Sequence, residues 1–213
     1  NIFPKELNDI RLYYIEYFDY FMNQKNSLGL DSCFMDLDNP LELFKIWMSD
    51  AEKKEINDPN ALSLATTNKN NEPSVRMILL KELSSKGFIF YTNLSSPKSI
   101  DLKNNPKASM CFHWKSLQRQ IRISGSINQV SDNEADNYFN SRAYESRIGA
   151  WASDQSKVMN ERKDLLKKIV NFKKKYHDEK NVPRPKNWSG WCLAPLIIEF
   201  WLEEQFRVHE RLR

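Results

Sequence analysis

The sequence predicts an α+β fold with a mainly β core, and two observations carry that expectation. Runs rich in β-branched and aromatic residues cluster in the middle and at the end of the chain, and segments of helical period lie between them. The five glycines, Gly29, Gly87, Gly125, Gly149 and Gly190, never approach a GxGxxG or GxxxxGK spacing. A Rossmann fingerprint and a P-loop are thereby excluded, so any bound phosphate must be held without a glycine cradle. With 213 residues, 40% of them hydrophobic and 28% charged, a single domain with a sizeable core is expected. Its parts read as an N-terminal helical segment (1–56), a block of strands (61–130), a helical insertion (131–180) and closing strands (191–213).

Residues 7–24 mix aromatic and charged side chains and read as a helix; 25–38 read as a loop. Asp38-Asn39-Pro40 is a helix start with proline in the first turn, Leu43, Phe44, Trp47 and Ala51 form its apolar stripe, and Asp58-Pro59-Asn60 breaks it. Strands are expected over 61–67, 74–81 and 88–93, separated by the turn-like stretches NKNNEP and ELSSKG. Ser96-Pro97 opens a short helix that ends near Asn104-Asn105-Pro106, and longer strands follow over 107–114 and 118–130. Ser131-Asp132-Asn133-Glu134 is a capping box that starts a helix through about residue 141. Residues 157–180 place Val158, Leu165, Ile169, Phe172 and Tyr176 at helical spacing, a proline-rich connector spans 182–188, and strands over 191–202 and 206–212 finish the chain.

The net charge of +4 is concentrated in 157–180, which holds nine Lys/Arg against four Asp/Glu and leaves the rest of the chain slightly acidic. The Lys173-Lys174-Lys175 run therefore reads as the solvated face of an amphipathic helix, and no nucleic-acid partner is expected. Cys33, Cys111 and Cys192 are odd in number and far apart, which argues against a disulfide framework or a zinc site and favours a reducing compartment, cytoplasmic or inside an organelle. Cys111 and His113 lack further Cys/His partners, so no metal is expected. No apolar run reaches the roughly 18 residues of a membrane span, and charges in NIFPKELNDIRLYY occupy the place of a signal-peptide core.

Three groupings look placed for chemistry. In the 74–81 strand, period two puts Arg76 with Ile78 and Leu80 on one face and Lys81 with Val75, Met77 and Leu79 on the other. Cations in an apolar run face either an anionic ligand or an ordinary salt-bridge partner. Tyr138, Arg142 and Ser146 are spaced by four and four; on one continuous helix they would form a phosphate clamp, and otherwise a helix end with scattered polar groups. Arg207, His209 and Arg211 alternate along the last expected strand, so they share a face suited to an anion or an electron-rich ring. No GxSxG elbow supports a serine nucleophile.

Taken together, RMILLK (76–81), FYTN (90–93), SPK (96–98), RQIRISG (119–125), YFNSR (138–142), SRIGAWASDQS (146–156), PKNWSGW (185–191), IEFW (198–201) and FRVHERLR (206–213) resemble the pyridoxine/pyridoxamine 5′-phosphate oxidase family. The resemblance implies an FMN-binding split barrel, six antiparallel strands in a Greek key with flanking helices, working as a homodimer with FMN at the interface. It assigns Arg76, Met77, Ile78, Leu79, Leu80, Lys81, Tyr91, Thr92, Lys98, Gln120, Gln155, Ser156, Trp201 and Arg211 to FMN. It assigns Lys81, Tyr138, Arg142 and Ser146 to the substrate phosphate, Arg207 and His209 to the substrate ring at the reacting carbon, and Arg11 and Tyr14 to a segment over the site. The implied reaction oxidises C4′ of pyridoxamine or pyridoxine 5′-phosphate, with O₂ as final acceptor and hydrogen peroxide as by-product. A flavin reductase-like relative and a catalytically weak FMN or pyridoxal phosphate carrier are the other readings of the same pattern. Pro97 stands where the family usually has arginine, which removes one cation from the expected FMN phosphate site.

Overall fold

A computed structural model describes residues 26–213. The helix expected over 7–24, with Arg11 and Tyr14, lies outside the described residues. The elements run α1 (Pro40–Lys54), β1 (Ala61–Thr67), β2 (Pro73–Leu79), β3 (Glu82–Ser84), β4 (Gly87–Asn93), α2 (Pro97–Asn104), β5 (Lys107–Trp114), β6 (Arg119–Gln129), α3 (Asp132–Ser141), α4 (Tyr144–Ala152), α5 (Arg162–Lys175), β7 (Trp188–Leu202) and β8 (Glu210–Leu212). The strand order is β2-β1-β5-β6-β7-β4-β3, with β8 paired to β7. The β1–β2, β1–β5, β3–β4, β4–β7 and β7–β8 pairings are antiparallel. This is the expected α+β class.

The chain divides into two compact units. The terminal unit takes the described residues to Pro59 with His113–Gln120 and Glu199–Arg213; the central unit takes Asn60–Phe112 and Ile121–Ile198. In the terminal unit, α1 starts where the Asn39 side chain accepts the Leu41 N–H at 2.9 Å, with Pro40 at the first helical position. Its buried face is Leu43, Phe44, Trp47 and Ala51, as the spacing requires. Trp47 packs edge-on to Phe200 at 5.2 Å and donates its indole N–H to the Cys33 carbonyl. The helix ends at Lys54, ahead of the Asp58-Pro59-Asn60 breaker.

In the central unit, β1 alternates so that Leu62, Leu64 and Thr66 are buried. On β2, Arg76 and Ile78 lie on the more buried face while Val75 and Met77 are 68% and 64% exposed, the period-two division read from sequence. The Ser131 capping box forms as expected, with Ser131 Oγ accepting the Glu134 N–H and Glu134 accepting the Ser131 N–H.

Three expectations are corrected and one open alternative is resolved. The turn-like ELSSKG contains β3, a three-residue strand paired to β4. Val158 is 98% exposed and precedes α5, so the inward face of that helix starts later, with Ile169, Phe172 and Tyr176 packed on the core. The capping-box helix ends at Ser141, as expected, which settles the open alternative for the clamp: Arg142 is its C-cap with ψ 149°, and α4 begins anew at Tyr144. Tyr138, Arg142 and Ser146 therefore do not share one helical face. Finally, 206–212 is not one strand: Gln205–Arg207 form a 3-10 turn and only Glu210–Leu212 pair with β7.

Candidate active site

The central unit gathers cations around a small set of neutral oxygens. Lys98 sits in the first turn of α2, where Pro97 presets the backbone and Ser96 is the N-cap. Its ammonium is buried and donates to Thr92 Oγ1 and Ser96 Oγ, both at 3.0 Å, and to Gln155 Oε1 at 3.3 Å. All three acceptors are uncharged. Burial, and secondarily the nearby Arg76, pulls the Lys98 pKa down from 10.5 to about 8. A buried cation among neutral acceptors, with a second cation near it, is a place that an anion completes.

Arg76 is oriented by two hydroxyls that also reach a carboxylate. Its Nη1 donates to Thr66 Oγ1 at 2.7 Å and to the Leu64 carbonyl at 3.1 Å, and its Nη2 donates to Ser74 Oγ at 2.5 Å. Thr66 and Ser74 in turn donate to Asp101 Oδ2, which lies 4.0 Å from the guanidinium. Burial lowers the Arg76 pKa while Asp101 raises it. Ser189 pairs directly across from Thr92, hence on the same sheet face, and its wholly buried Oγ has no partner. Two cations, several hydroxyls and an orphaned buried oxygen suit a phosphate monoester such as that of FMN. Pro97 itself is exposed and contributes no charge.

Beside this pocket stands an aromatic group. Tyr91 of β4 stacks on Tyr138 of α3 at 3.9 Å and 5°, and on Trp188 of β7 at 5.3 Å and 8°. Gly190 makes room for it: a Cβ there would come within 2.7 Å of the Tyr91 ring. Arg142 lies over the Trp188 ring at 4.9 Å, and its buried Nη1 has no hydrogen-bond partner. Burial is the main influence lowering the Arg142 pKa and raising that of Tyr138. Tyr138 and Arg142 are thus brought together through this aromatic group. Ser146 is exposed in the first turn of α4, and no described hydrogen bond joins it to either.

Of the other residues expected at the flavin, Leu80 is buried, Ile78 and Leu79 half-buried, and Met77 and Lys81 exposed. Lys81 follows β2, with its N–H on the Ile89 carbonyl. Ser156 is exposed in a turn with φ 65°.

The terminal unit holds Gln120, Trp201, Arg207, His209 and Arg211. Gln120 and Trp201 are half-buried, while Arg207 and Arg211 are exposed. Arg207 lies in the 3-10 turn at φ 63°, following Phe206 at φ 55°, so Arg207, His209 and Arg211 do not alternate along a single strand. The His209 ring packs against Trp201 at 4.8 Å, and its Nδ1 accepts the Glu204 backbone N–H at 3.2 Å. That bond makes Nδ1 the unprotonated nitrogen and leaves Nε2 to carry the hydrogen.

Sequence reasoning missed Thr66, Ser74, Asp101 and Ser189 because their roles depend on pairing across strands and packing of α2. Trp188 and Gly190 carried a signal, the aromatic–glycine spacing in PKNWSGW, without indicating what they contact. Among the described residues, no group of three or more His, Cys, Asp or Glu could hold a metal ion, and no helix is long and apolar enough to cross a membrane.

Comparison with known proteins bears on this arrangement. Residues 48–174 match the family model described as pyridoxamine 5′-phosphate oxidase. A pyridoxine/pyridoxamine 5′-phosphate oxidase of Pelagibacter ubique is 61% identical over 192 residues, covering 90% of this chain and 92% of the relative. Another of that name from Bartonella henselae is 49% identical, covering 88% and 90%. Among solved structures, PhzG from Burkholderia lata 383, in complex with tetrahydrophenazine-1-carboxylic acid, superposes with a TM-score of 0.79 at 28% identity, covering 86% of this chain and 89% of that one. A pyridoxamine 5′-phosphate oxidase-related, FMN binding protein from Nostoc punctiforme shares the fold with a TM-score of 0.62 at 14% identity, covering 84% and 98%.

Proposed function

The chain belongs to the pyridoxine/pyridoxamine 5′-phosphate oxidase family of split-barrel oxidoreductases, and from that premise we propose that it binds FMN and oxidises C4′ of pyridoxamine or pyridoxine 5′-phosphate to give pyridoxal 5′-phosphate. The observation that carries the reading is the pair of cationic places in the central unit, one at Lys98 and Arg76 and one at Arg142. Lys98 bonds only uncharged acceptors and Arg142 has no carboxylate partner among the described residues, and cofactor and substrate each bring one phosphate.

FMN, when bound, would supply the hydride-accepting chemistry, with O₂ as final acceptor yielding hydrogen peroxide; the amine substrate would also take up one water and release ammonia. The protein contributes binding and orientation. Lys98 and Arg76 hold the cofactor phosphate, with Thr92, Ser96 and Gln155 fixing the ammonium. The remaining FMN residues named from the resemblance, Met77 to Lys81, Tyr91, Gln120, Ser156, Trp201 and Arg211, line the flavin. Arg142 and Tyr138, with Lys81 and Ser146, take the substrate phosphate. Arg207 and His209 place the substrate ring, His209 presenting its Nε2–H because Nδ1 is already occupied. Arg11 and Tyr14 are assigned to the substrate by the family resemblance alone. The active species is a cytoplasmic homodimer with FMN at the interface; the exposed Val75 and Met77 on β2 offer an apolar surface for the second copy.

The test is purification followed by a flavin spectrum and addition of pyridoxamine 5′-phosphate under air, with pyridoxal 5′-phosphate and peroxide followed together. Yellow protein that forms both supports the proposal. Bound flavin with neither product supports the carrier reading, and protein that takes up no flavin defeats both.

A further inference from the structure

Arg142 is a cation whose support is aromatic rather than acidic. Its guanidinium lies 4.9 Å from the Trp188 ring centre and 5.8 Å from that of Phe139, and among the described residues no carboxylate pairs with it. Nη1 is buried without a hydrogen-bond partner. An arginine fixed by a carboxylate would have its charge offset and its donor fork occupied. Contact with a π face attracts the cation through the ring quadrupole and commits none of its five N–H donors.

Trp188 is itself firmly held. It belongs to a buried cluster with Phe139, Ile148 and Val182, and Phe139 meets it edge-on at 5.1 Å. Its N–H bonds the Pro185 carbonyl at 3.0 Å, and its own carbonyl accepts Arg184 Nη1 at 2.7 Å. Arg184 also donates to Asp132 and Asp136 of α3, the helix that ends in Tyr138, Phe139 and the C-cap Arg142. One side chain thus ties the Trp188 backbone to the helix carrying the cation. Tyr91, parallel to both Trp188 and Tyr138, completes the support.

We propose that Trp188 is a positioning residue of the substrate-phosphate clamp: its indole face holds Arg142 where a carboxylate otherwise would, leaving the guanidinium's charge and N–H donors for a phosphate ester. The assignment rests on the proposed function only in naming which ester binds.

The test is a double-mutant cycle on FMN-loaded protein with Trp188→Leu, Trp188→Phe and Arg142→Met, read by calorimetric titration with pyridoxal 5′-phosphate and by turnover of pyridoxamine 5′-phosphate. Loss of the indole face is expected to weaken binding and raise KM by roughly 2- to 30-fold in Trp188→Leu, and less in Trp188→Phe. Turnover number should change by less than about twofold and FMN affinity by much less than affinity for the ester, a split that general damage to the core would not produce. In the Arg142→Met background the Trp188 effect should vanish. Trp188→Phe carries the cycle if Trp188→Leu does not give folded holoenzyme. An undiminished Trp188 effect without Arg142, or a fall in turnover number at constant KM, overturns the proposal. Wild-type protein that binds pyridoxal 5′-phosphate through this coupled pair but oxidises nothing defeats the proposed function and supports the positioning role; failure to bind the ester defeats both.

Discussion

The Lys98–Arg76 cluster of the central unit and the C-terminal turn of the terminal unit both present cations, but they hold them in opposite ways. Lys98 is buried, with every contact of its ammonium made by a side chain drawn from β4, the start of α2 or the turn after α4. Arg207 is exposed, carried on two successive left-handed residues that are not glycine. The first region is set before any ligand arrives, so its chemistry is legible as electrostatics. The second keeps His209 in place through a backbone N–H and a ring contact, and leaves Arg207 exposed to solvent. Preorganisation in one region is expected to govern affinity for the cofactor, and placement in the other to govern turnover.

The largest expected effect separates those roles. Arg207→Ala should lower turnover about a hundredfold or more, as misplacement of a reacting centre does, while FMN affinity measured by flavin fluorescence changes little. Equal losses in both would erase the distinction between the regions. Lys98→Met should do the reverse, weakening FMN by roughly tenfold to a hundredfold, the worth of a charge-assisted contact. The flavin-free variant should melt no lower than the parent, since the deleted charge is one that burial disfavours.

The comparison sharpens with pH. Lys98 titrates at about 8 instead of 10.5 in the flavin-free fold. As pH rises through about 8 the ammonium is lost, and FMN binding should weaken by up to about tenfold per pH unit. Stability of the flavin-free protein runs the other way. Between about 8 and 10.5 the unfolded chain keeps a proton that the fold has shed, so this group makes stability rise with pH across that window. Titrations and thermal melts on flavin-free protein check both signs. The smallest effect belongs to the C-terminal turn: Phe206 is 81% exposed at φ 55°, so Phe206→Gly should raise stability by about 1 kcal/mol through relief of left-handed strain. A loss of stability would show that the phenyl ring contributes more than the strain costs.

Local chemistry made much of the fold readable. Asn39-Pro40 and the 43/44/47/51 stripe gave α1, the Ser131 capping box gave α3, and the bounds of β1 and β5 follow directly from their alternation. The stop near Ser141 was readable, but the restart at Tyr144 was not, because Ala143 caps α4 without a side-chain hydrogen bond and no glycine or proline marks the turn. The C-terminal turn was hidden for the same reason: Phe206 and Arg207 take a conformation that glycine would have announced. Around Lys98, Arg76 stood out as a cation in an apolar strand, whereas Asp101 became meaningful only once α2 brought it to Thr66 and Ser74. Lone cations can be found in a sequence, but the groups that aim them are supplied by tertiary packing.

Lys98 and Arg76 are expected to hold the FMN phosphate, and the most direct measurement compares FMN with riboflavin, its phosphate-free counterpart, on flavin-free wild-type protein. Fluorescence titration near neutral pH should show FMN strongly preferred, with the preference shrinking as pH rises above about 8. Equal affinity for the two flavins, or a preference indifferent to that change in pH, would contradict the account.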